Sequence, residues 1–310
     1  MSTFHTLKAW LQASRLPSQS YIALPLLLGQ ILAYALTGAW SWTLFFLIQA
    51  FGVFDQLYIV YANDYADRET DQDNQTATIF SGGSRVLVDG IISPQALKRA
   101  ALLMAFFAIA TTFTMALLFA RPAAIPLGAF GLLLLWAYSY PPLRLSYRGG
   151  GELLQMLGVG AVLPLLAFYA QAGSFAAFPW ALLFTLLPFS LATAISTALP
   201  DLPSDRRAEK KTIPVTFGLL PAHLLIFFLY TLGFLAFFLS RSYHFFFLQD
   251  PTAPLTADLL LFLSIGALIL LLPLLRRSTP GNSFIVAFVF TSILVNLSWT
   301  ASLIVALLPL

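Results

Sequence analysis

Two stretches of this chain concentrate carboxylates at spacings that suit divalent-metal chemistry. The first reads Asn63-Asp64-Tyr65-Ala66-Asp67-Arg68-Glu69-Thr70-Asp71-Gln72-Asp73. It follows directly on an apolar run, so a helical continuation is expected. Asp64, Asp67 and Asp71 then stand at i, i+3 and i+7 on one face, with Asn63 one turn before Asp67. Like charges stacked in this way cost a helix roughly a few tenths of a kcal/mol per pair. A divalent cation relieves the repulsion, and Mg²⁺ takes hard oxygen ligands, carboxylates together with substrate phosphates. The second stretch reads Asp201-Leu202-Pro203-Ser204-Asp205-Arg206-Arg207-Ala208-Glu209-Lys210-Lys211-Thr212. Asp201 and Asp205 are one helical turn apart, Pro203 suits the first turn of a short helix, and Arg206, Arg207, Lys210 and Lys211 follow. Carboxylates for Mg²⁺ beside cations for phosphate oxygens are the groups that a diphosphate requires.

A third polar stretch reads Tyr138-Ser139-Tyr140-Pro141-Pro142-Leu143-Arg144-Leu145-Ser146-Tyr147-Arg148. Tyr147 suits an interfacial aromatic belt equally well. Tyr138 and Tyr140, at a helix end beside two prolines, are able to present π-faces or hydroxyls to a reacting cation.

The elements that must hold these residues are membrane helices. Of 310 residues, 59% are hydrophobic and 9% charged, and the mean hydropathy is +0.84. A soluble domain carries about 25% charged residues, so lipid must act as solvent here. A net charge of +3, mixed in sign, does not point to nucleic acid. The chain has no cysteine, which excludes disulfides, Cys-ligated zinc, iron–sulfur clusters and thiol nucleophiles. The first apolar run, after Lys8 and Arg15, lacks a small-residue cleavage site and reads as a retained span.

Runs long enough to cross a bilayer, about 20 residues, are expected at 21–36, 43–62, 100–120, 123–136, 153–172, 178–199, 222–239, 259–275 and 284–308, the first and fourth being short. With nine spans, fourteen of the sixteen cations fall on the side of the N-terminus, and only Arg121 and Arg241 fall on the other. That asymmetry assigns the N-terminal side to the cytoplasm. Ten of the thirteen acids share that side, mostly in the loops after the second and sixth spans. The two acidic clusters thus occupy equivalent places, like the halves of a weak internal duplication facing each other across a cavity. One domain, 1–310, is expected, with active-site loops at 63–96, 138–150 and 200–216.

With these residues assembled, the chain resembles the UbiA superfamily of intramembrane aromatic prenyltransferases along nearly its full length. Asn63-Asp64…Asp67…Asp71 is similar to the family's NDxxDxxxD signature, and Asp201…Asp205 to its DxxxD. The Tyr138…Arg144 loop, followed by Gly149–Gly151 and Glu152, resembles the family's third cytoplasmic loop, and Arg15 its N-terminal arginine. The resemblance implies nine helices around a cavity open to the cytoplasm and laterally to lipid. It implies two Mg²⁺ between the motifs, a polyprenyl diphosphate with its tail in an apolar tunnel, and an allylic carbocation attacked by an electron-rich ring. Asp64, Asp67, Asp71, Asp201 and Asp205 would then serve metal or metal-bound water. Arg15, Arg85, Arg144 and Lys211 would neutralise the leaving group, Asn63 would bind substrate, and Tyr138 or Tyr140 would face the cation.

Ser81-Gly82-Gly83-Ser84-Arg85-Val86-Leu87-Val88-Asp89-Gly90, with Asn63-Asp64-Tyr65, looks most like the menaquinone branch, which prenylates dihydroxynaphthoate. Some of that branch carry the last aspartate two positions later, so Asp71 and Asp73 compete for one role. Where many members have Asn-Asp before the second motif, this chain has Thr197-Ala198. Asp55, inside the second span, is either a structural acid or a cavity residue able to touch the acceptor. Asn296, Gln155 and Gln171 read as interhelical hydrogen bonds, and His5, His223 and His244 receive no role. A transporter would hold its ionisable groups near mid-membrane on discontinuous helices, whereas here they gather at one surface. Within the family, 4-hydroxybenzoate, homogentisate, haem or a glycerol lipid are the rival acceptors. The expected location is a bacterial-type plasma membrane, with no protein partner inferable.

Overall fold

The computed structural model describes residues 3–242 and 255–308, and side-chain environments over 6–240 and 255–308. The side chains of His5 and Arg241, and His244 altogether, lie outside them. In lipid every backbone N–H and C=O must be satisfied within its own segment, which leaves helices as the economical solution for runs like these. The order is α1 (Thr3–Ala13), α2 (Ser20–Thr37), α3 (Trp42–Gln72), α4 (Pro94–Phe119), α5 (Ala124–Ser139), α6 (Leu145–Arg148), α7 (Gly151–Leu157), α8 (Leu163–Ala172), α9 (Leu183–Ala198), α10 (Leu202–Arg207), α11 (Ile213–Phe217), α12 (Leu219–Ser242), α13 (Leu255–Leu274) and α14 (Ser283–Leu307). Helices α7 and α8 run on through a π-helical turn at Gly158–Val162.

Local chemistry sets the boundaries. Gly38, in the left-handed region at φ 68°, ends α2 and returns its N–H to Tyr34 O. Ser41 starts α3 by accepting the Leu44 N–H at 3.3 Å, and Ser93 starts α4 in the same way, with Pro94 in its first turn.

Eight helices are long and apolar enough to cross a membrane, and α5, at 16 residues, is a shorter apolar helix. The nine apolar runs of the sequence each coincide with one of these helices. Helix α3 decides where the chemistry sits: its 31 residues extend roughly 46 Å against a hydrocarbon core of about 30 Å. Its acidic end therefore projects beyond the apolar part as helix. The expected loop at 63–96 is consequently helical to Gln72, with irregular chain only from Asp73 to Ser93.

Packing pairs α3 with α4, α13 with α14, α2 with α8, and α9 with α12, while α14 also meets α2 and α9. Gly29 of α2 lies against the Pro164 carbonyl and Ala167 of α8, where any side chain would collide with backbone. Polar side chains tie helices together inside the bundle. Asn296 Nδ2 donates to Thr193 Oγ1 at 3.0 Å, joining α14 to α9, and Tyr230 OH donates to Ser292 O at 2.7 Å. Gln171 bonds the Ser41 N–H at 2.8 Å and the Ser41 carbonyl at 3.1 Å. The outward faces carry Leu102, Phe106, Leu117 and Leu118 of α4 and Leu259, Phe262 and Leu270 of α13, all exposed and suited to lipid contact.

Candidate active site

Helix α3 and helix α9 end on the same face, and each delivers one acidic motif to its end. Between them lies a cavity of about 170 Å³. Asn63, Asp67, Thr70 and Asp71 line it from α3, and Asp201, Asp205 and Lys210 from the stretch after α9. Tyr138 closes it from α5, Glu152 and Gln155 from α7, Arg15 from the turn after α1, and Phe80 to Gly83 from the strap between α3 and α4.

Three sets of contacts hold the acids. Lys210 Nζ stands 3.3 Å from Asp67 Oδ2 and 3.3 Å from Asp205 Oδ1, so it bridges the two motifs. Tyr147 OH donates to Asp67 Oδ1 at 3.0 Å and shares a 2.7 Å hydrogen bond with Thr70 Oγ1. Asp64 is buried in an ion pair with Arg15 and accepts the Ser84 hydroxyl and N–H. Asp201 accepts Asn74 Nδ2 at 2.7 Å and the Gly82 N–H at 3.2 Å. The strap thus binds one acid of each motif. Gly83 comes so close to the Asp71 carboxylate that a Cβ would meet its Oδ2, and at φ +72° it is in the region that glycine favours.

Burial governs the electrostatics. It pushes the Asp205 carboxyl up to about 6, against the pull of Lys210. It raises Asp201 as well, opposed by the Asn74 hydrogen bond and the Lys210 charge. Burial works against the Lys210 charge, but Asp67 and Asp205 outweigh it and hold the ammonium above the usual lysine value. Burial likewise raises the Tyr147 phenol.

The structure separates candidates that the sequence left together. Asp71 lines the cavity, whereas Asp73 is exposed at the cap of α3, where its carbonyl accepts from Arg207 at 2.5 Å. Asp64 stands behind the cavity wall. Lys211 is exposed and gives its N–H to Tyr147 O at 2.9 Å, whereas Lys210 lines the cavity. Glu209 explains this difference: its left-handed φ of 57° turns the chain so that Lys210 faces inward. Arg144 stacks on the Tyr147 ring at 3.5 Å and Arg85 reaches the Asp71 carbonyl at 3.4 Å, and neither lines the cavity. Tyr140 donates to Ala62 O at 3.0 Å, which leaves Tyr138 as the loop tyrosine at the cavity. Asp55 is buried in α3 and is not among the lining residues. Gln155, expected as an interhelical bond, lines the cavity.

Sequence reasoning placed Lys210 among four cations, Tyr147 evenly between belt and site, and Glu152 in a family-like loop, without singling any of them out; the structure brings all three to the cavity or its wall. Glu152 accepts the Ile213 N–H at 2.7 Å and so anchors the segment after Lys210. The only signal for it was its place beside the Gly149–Gly151 turn.

The donor set suits a hard divalent cation: Asp67, Asp71, Asp201 and Asp205 supply carboxylate oxygens to one cavity, with Asn63 and Thr70 adding neutral oxygens. In the present arrangement no three acids among the described residues surround a common metal position. Lys210 and Arg15 stand among them instead.

Comparison with known proteins agrees with this architecture. The model of the UbiA prenyltransferase family matches residues 22–257. A 2-carboxy-1,4-naphthoquinone phytyltransferase of Synechocystis sp. is 29% identical over 223 residues, 69% of this chain and 67% of that protein. A 1,4-dihydroxy-2-naphthoate octaprenyltransferase of Mycobacterium tuberculosis is 30% identical over 160 residues, about half of each chain (51% and 52%). Among solved structures, a UbiA homologue of Archaeoglobus fulgidus bound to DMAPP and Mg²⁺ superposes with TM-score 0.61 at 17% identity, covering 95% of this chain and 98% of that one. The apo UbiA homologue of Aeropyrum pernix superposes with TM-score 0.68 at 16% identity, covering 92% and 94%. At such identities the structures establish the fold, and the family match establishes the lineage: the chain is an integral membrane protein that belongs to the UbiA prenyltransferase family.

Proposed function

We propose that this prenyltransferase moves a prenyl chain from a polyprenyl diphosphate to 1,4-dihydroxy-2-naphthoate, with Mg²⁺ required. The observation that carries the proposal is the single cavity shared by acids of both motifs and by Lys210 and Arg15. The two naphthoate-ring prenyltransferases among its relatives support the acceptor, and the Mg²⁺-bound and DMAPP-bound family structure supports the metal and the donor.

In this reading the chain forms one domain, and α5, roughly 24 Å long, makes a ninth crossing. The N-terminus and the cavity face the cytoplasm of a bacterial-type plasma membrane. Asp67, Asp71, Asp201 and Asp205 hold Mg²⁺, two ions by the family pattern, which supplies charge neutralisation to the diphosphate. Arg15 adds fixed positive charge at the leaving oxygens, Lys210 adds an ammonium on a flexible stem, and Asn63 donates its amide N–H. Charge aimed in advance at a developing anion, away from bulk water, is usually the largest rate term, and one such donor is worth about 10²–10³ in rate. The C–O bond to the diphosphate breaks, leaving an allylic cation that the Tyr138 π-face stabilises. The ring carbon attacks to form the new C–C bond, and the ring regains aromaticity by losing the group on that carbon, either a proton to water or the released diphosphate, or the carboxyl as CO₂.

Membranes containing the chain, incubated with radiolabelled polyprenyl diphosphate and Mg²⁺, should prenylate 1,4-dihydroxy-2-naphthoate in preference to 4-hydroxybenzoate or homogentisate. Labelled product from another ring alone would refute the acceptor.

Two further outcomes follow from the site. Tyr147→Phe removes the hydroxyl on Asp67 but keeps the ring beneath Arg144. Because a hydrogen bond to a charged group is worth about 1.5–3 kcal/mol, turnover at fixed Mg²⁺ should fall by about tenfold or more and recover partly as Mg²⁺ is raised. Unchanged Mg²⁺ dependence would remove Tyr147 from the metal site. Metal binding needs the ionised acid, and the Asp205 carboxyl lies near 6. The Mg²⁺ concentration for half-maximal rate should therefore rise as pH drops below about 6 and level off above it. A flat profile from pH 5 to 7 would refute this.

A further inference from the structure

We propose that Lys210 is an exchangeable counter-ion: without metal its ammonium holds Asp67 and Asp205 together, and Mg²⁺ binding displaces it onto the diphosphate. The inference rests on the Mg²⁺ reading above and adds a second role for a residue of the chain itself.

Lys210 takes one carboxylate from each motif, at the same 3.3 Å. Without a cation between them, these two buried carboxylates would repel each other across the cavity, and a buried charge left unpaired is strongly destabilising. The lysine is itself only 8% exposed, so its charge is compensated by these acids and by the Tyr147 ring 4.8 Å from Nζ. Its backbone is fixed, since its N–H bonds to Asp205 O at 2.9 Å after the left-handed turn at Glu209. Only the four-carbon stem is free to swing. That is the property distinguishing lysine from arginine: a compact point charge on a flexible arm. Arg15, by contrast, is paired with an acid that Ser84 also fixes and that stands outside the cavity. The absence of three acids around a common point among the described residues follows if Lys210 stands where metal will bind. A divalent ion that takes Asp67 and Asp205 leaves the ammonium unpaired in the same cavity, where an incoming diphosphate is the anion available to it.

The test uses the full chain in detergent and two probes, Mg²⁺ alone and inorganic pyrophosphate with saturating Mg²⁺. By calorimetry, Lys210→Met should bind Mg²⁺ alone more tightly than wild type, by roughly tenfold, because two ion pairs no longer have to be surrendered. The same variant should bind pyrophosphate more weakly. Opposite signs are expected, and the labelling below separates a displaced lysine from one that stays in place. Unchanged or weakened Mg²⁺ binding in Lys210→Met overturns the exchange. A second measurement needs no variant to fold: acetic anhydride labelling of wild-type Lys210, read by mass spectrometry, should rise several-fold when Mg²⁺ is added and fall again with pyrophosphate. Labelling that stays constant across the three conditions overturns it as well. A wild-type chain that binds no Mg²⁺ at all fails the Mg²⁺ reading itself, a result distinct from either of these.

Discussion

Asp67→Asn and Asp201→Asn should each lower Mg²⁺-dependent release of diphosphate from a polyprenyl diphosphate by at least about 10²–10³-fold, the loss expected when one preorganised charge is removed from a reacting anion. The two act through different neighbours. Asp67 is the acid on which Lys210 and Tyr147 both converge, so its neutralisation loosens the ammonium and the hydroxyl together. Asp201 receives Asn74 and the Gly82 N–H, so its neutralisation also loosens the strap. Asparagine is preferable to alanine because it keeps the volume and one acceptor oxygen, and limits the penalty for leaving Lys210 with a single partner, which for a broken buried pair reaches about 3–5 kcal/mol. Asp73→Asn is the internal control. That side chain is exposed at the end of α3 and does not line the cavity, so its turnover should stay within about twofold of wild type, as for most surface substitutions. Release of labelled diphosphate, measured beside far-ultraviolet circular dichroism to verify folding, decides the matter. Near-normal release from Asp67→Asn and Asp201→Asn would defeat the proposed mechanism. A severe loss from Asp73→Asn alone would move the metal site to the end of the helix.

The second large effect belongs to a residue with no side chain. Gly83→Ala should lower turnover by about 10²-fold, the scale of an ångström-level misplacement of catalytic groups, while leaving the helical bundle intact. Two terms combine. An alanine at φ +72° is strained by about 1–2 kcal/mol. Its Cβ would also press on the Asp71 carboxylate and lie 3.4 Å from Arg15 Nη2. Relief requires the strap to retreat or Asp71 to turn away, and both disturb the cavity. Gly90 separates the terms, because it is also left-handed, at φ +65°, with open space where a Cβ would stand. Gly90→Ala carries the backbone strain without the collision and should keep most of its activity. Equal losses in the two variants would mean that strain alone explains the effect and that contact with Asp71 does not matter.

Much of this protein was determined by the order of its residues. Apolar runs too long for any soluble core had to become helices satisfied within themselves, and each of the nine runs is a helix in the structure. The i, i+3, i+7 spacing of Asp64, Asp67 and Asp71 put three carboxylates on one side of α3 because helical periodicity is a local property. Pro203 in the first turn of α10 was legible for the same reason: backbone preference is carried by the residue and its neighbours.

Tertiary structure alone decided what depends on distance between segments remote in sequence. That Lys210 rather than Lys211 faces inward depends on the left-handed turn at Glu209 and on where Asp67 lies, 143 residues earlier. That Asp71 lines the cavity while Asp73 caps the helix depends on where α3 stops and how the strap folds back over it. Asp64 looks equivalent to Asp67 in the pattern, yet it is spent on Arg15 and Ser84, and Tyr147 is drawn to Asp67 from a loop that suited the membrane interface equally well. Composition and period specify which face of an element is polar. Which polar group meets which is set by the few ångströms between packed helices, where a buried charge must find its partner.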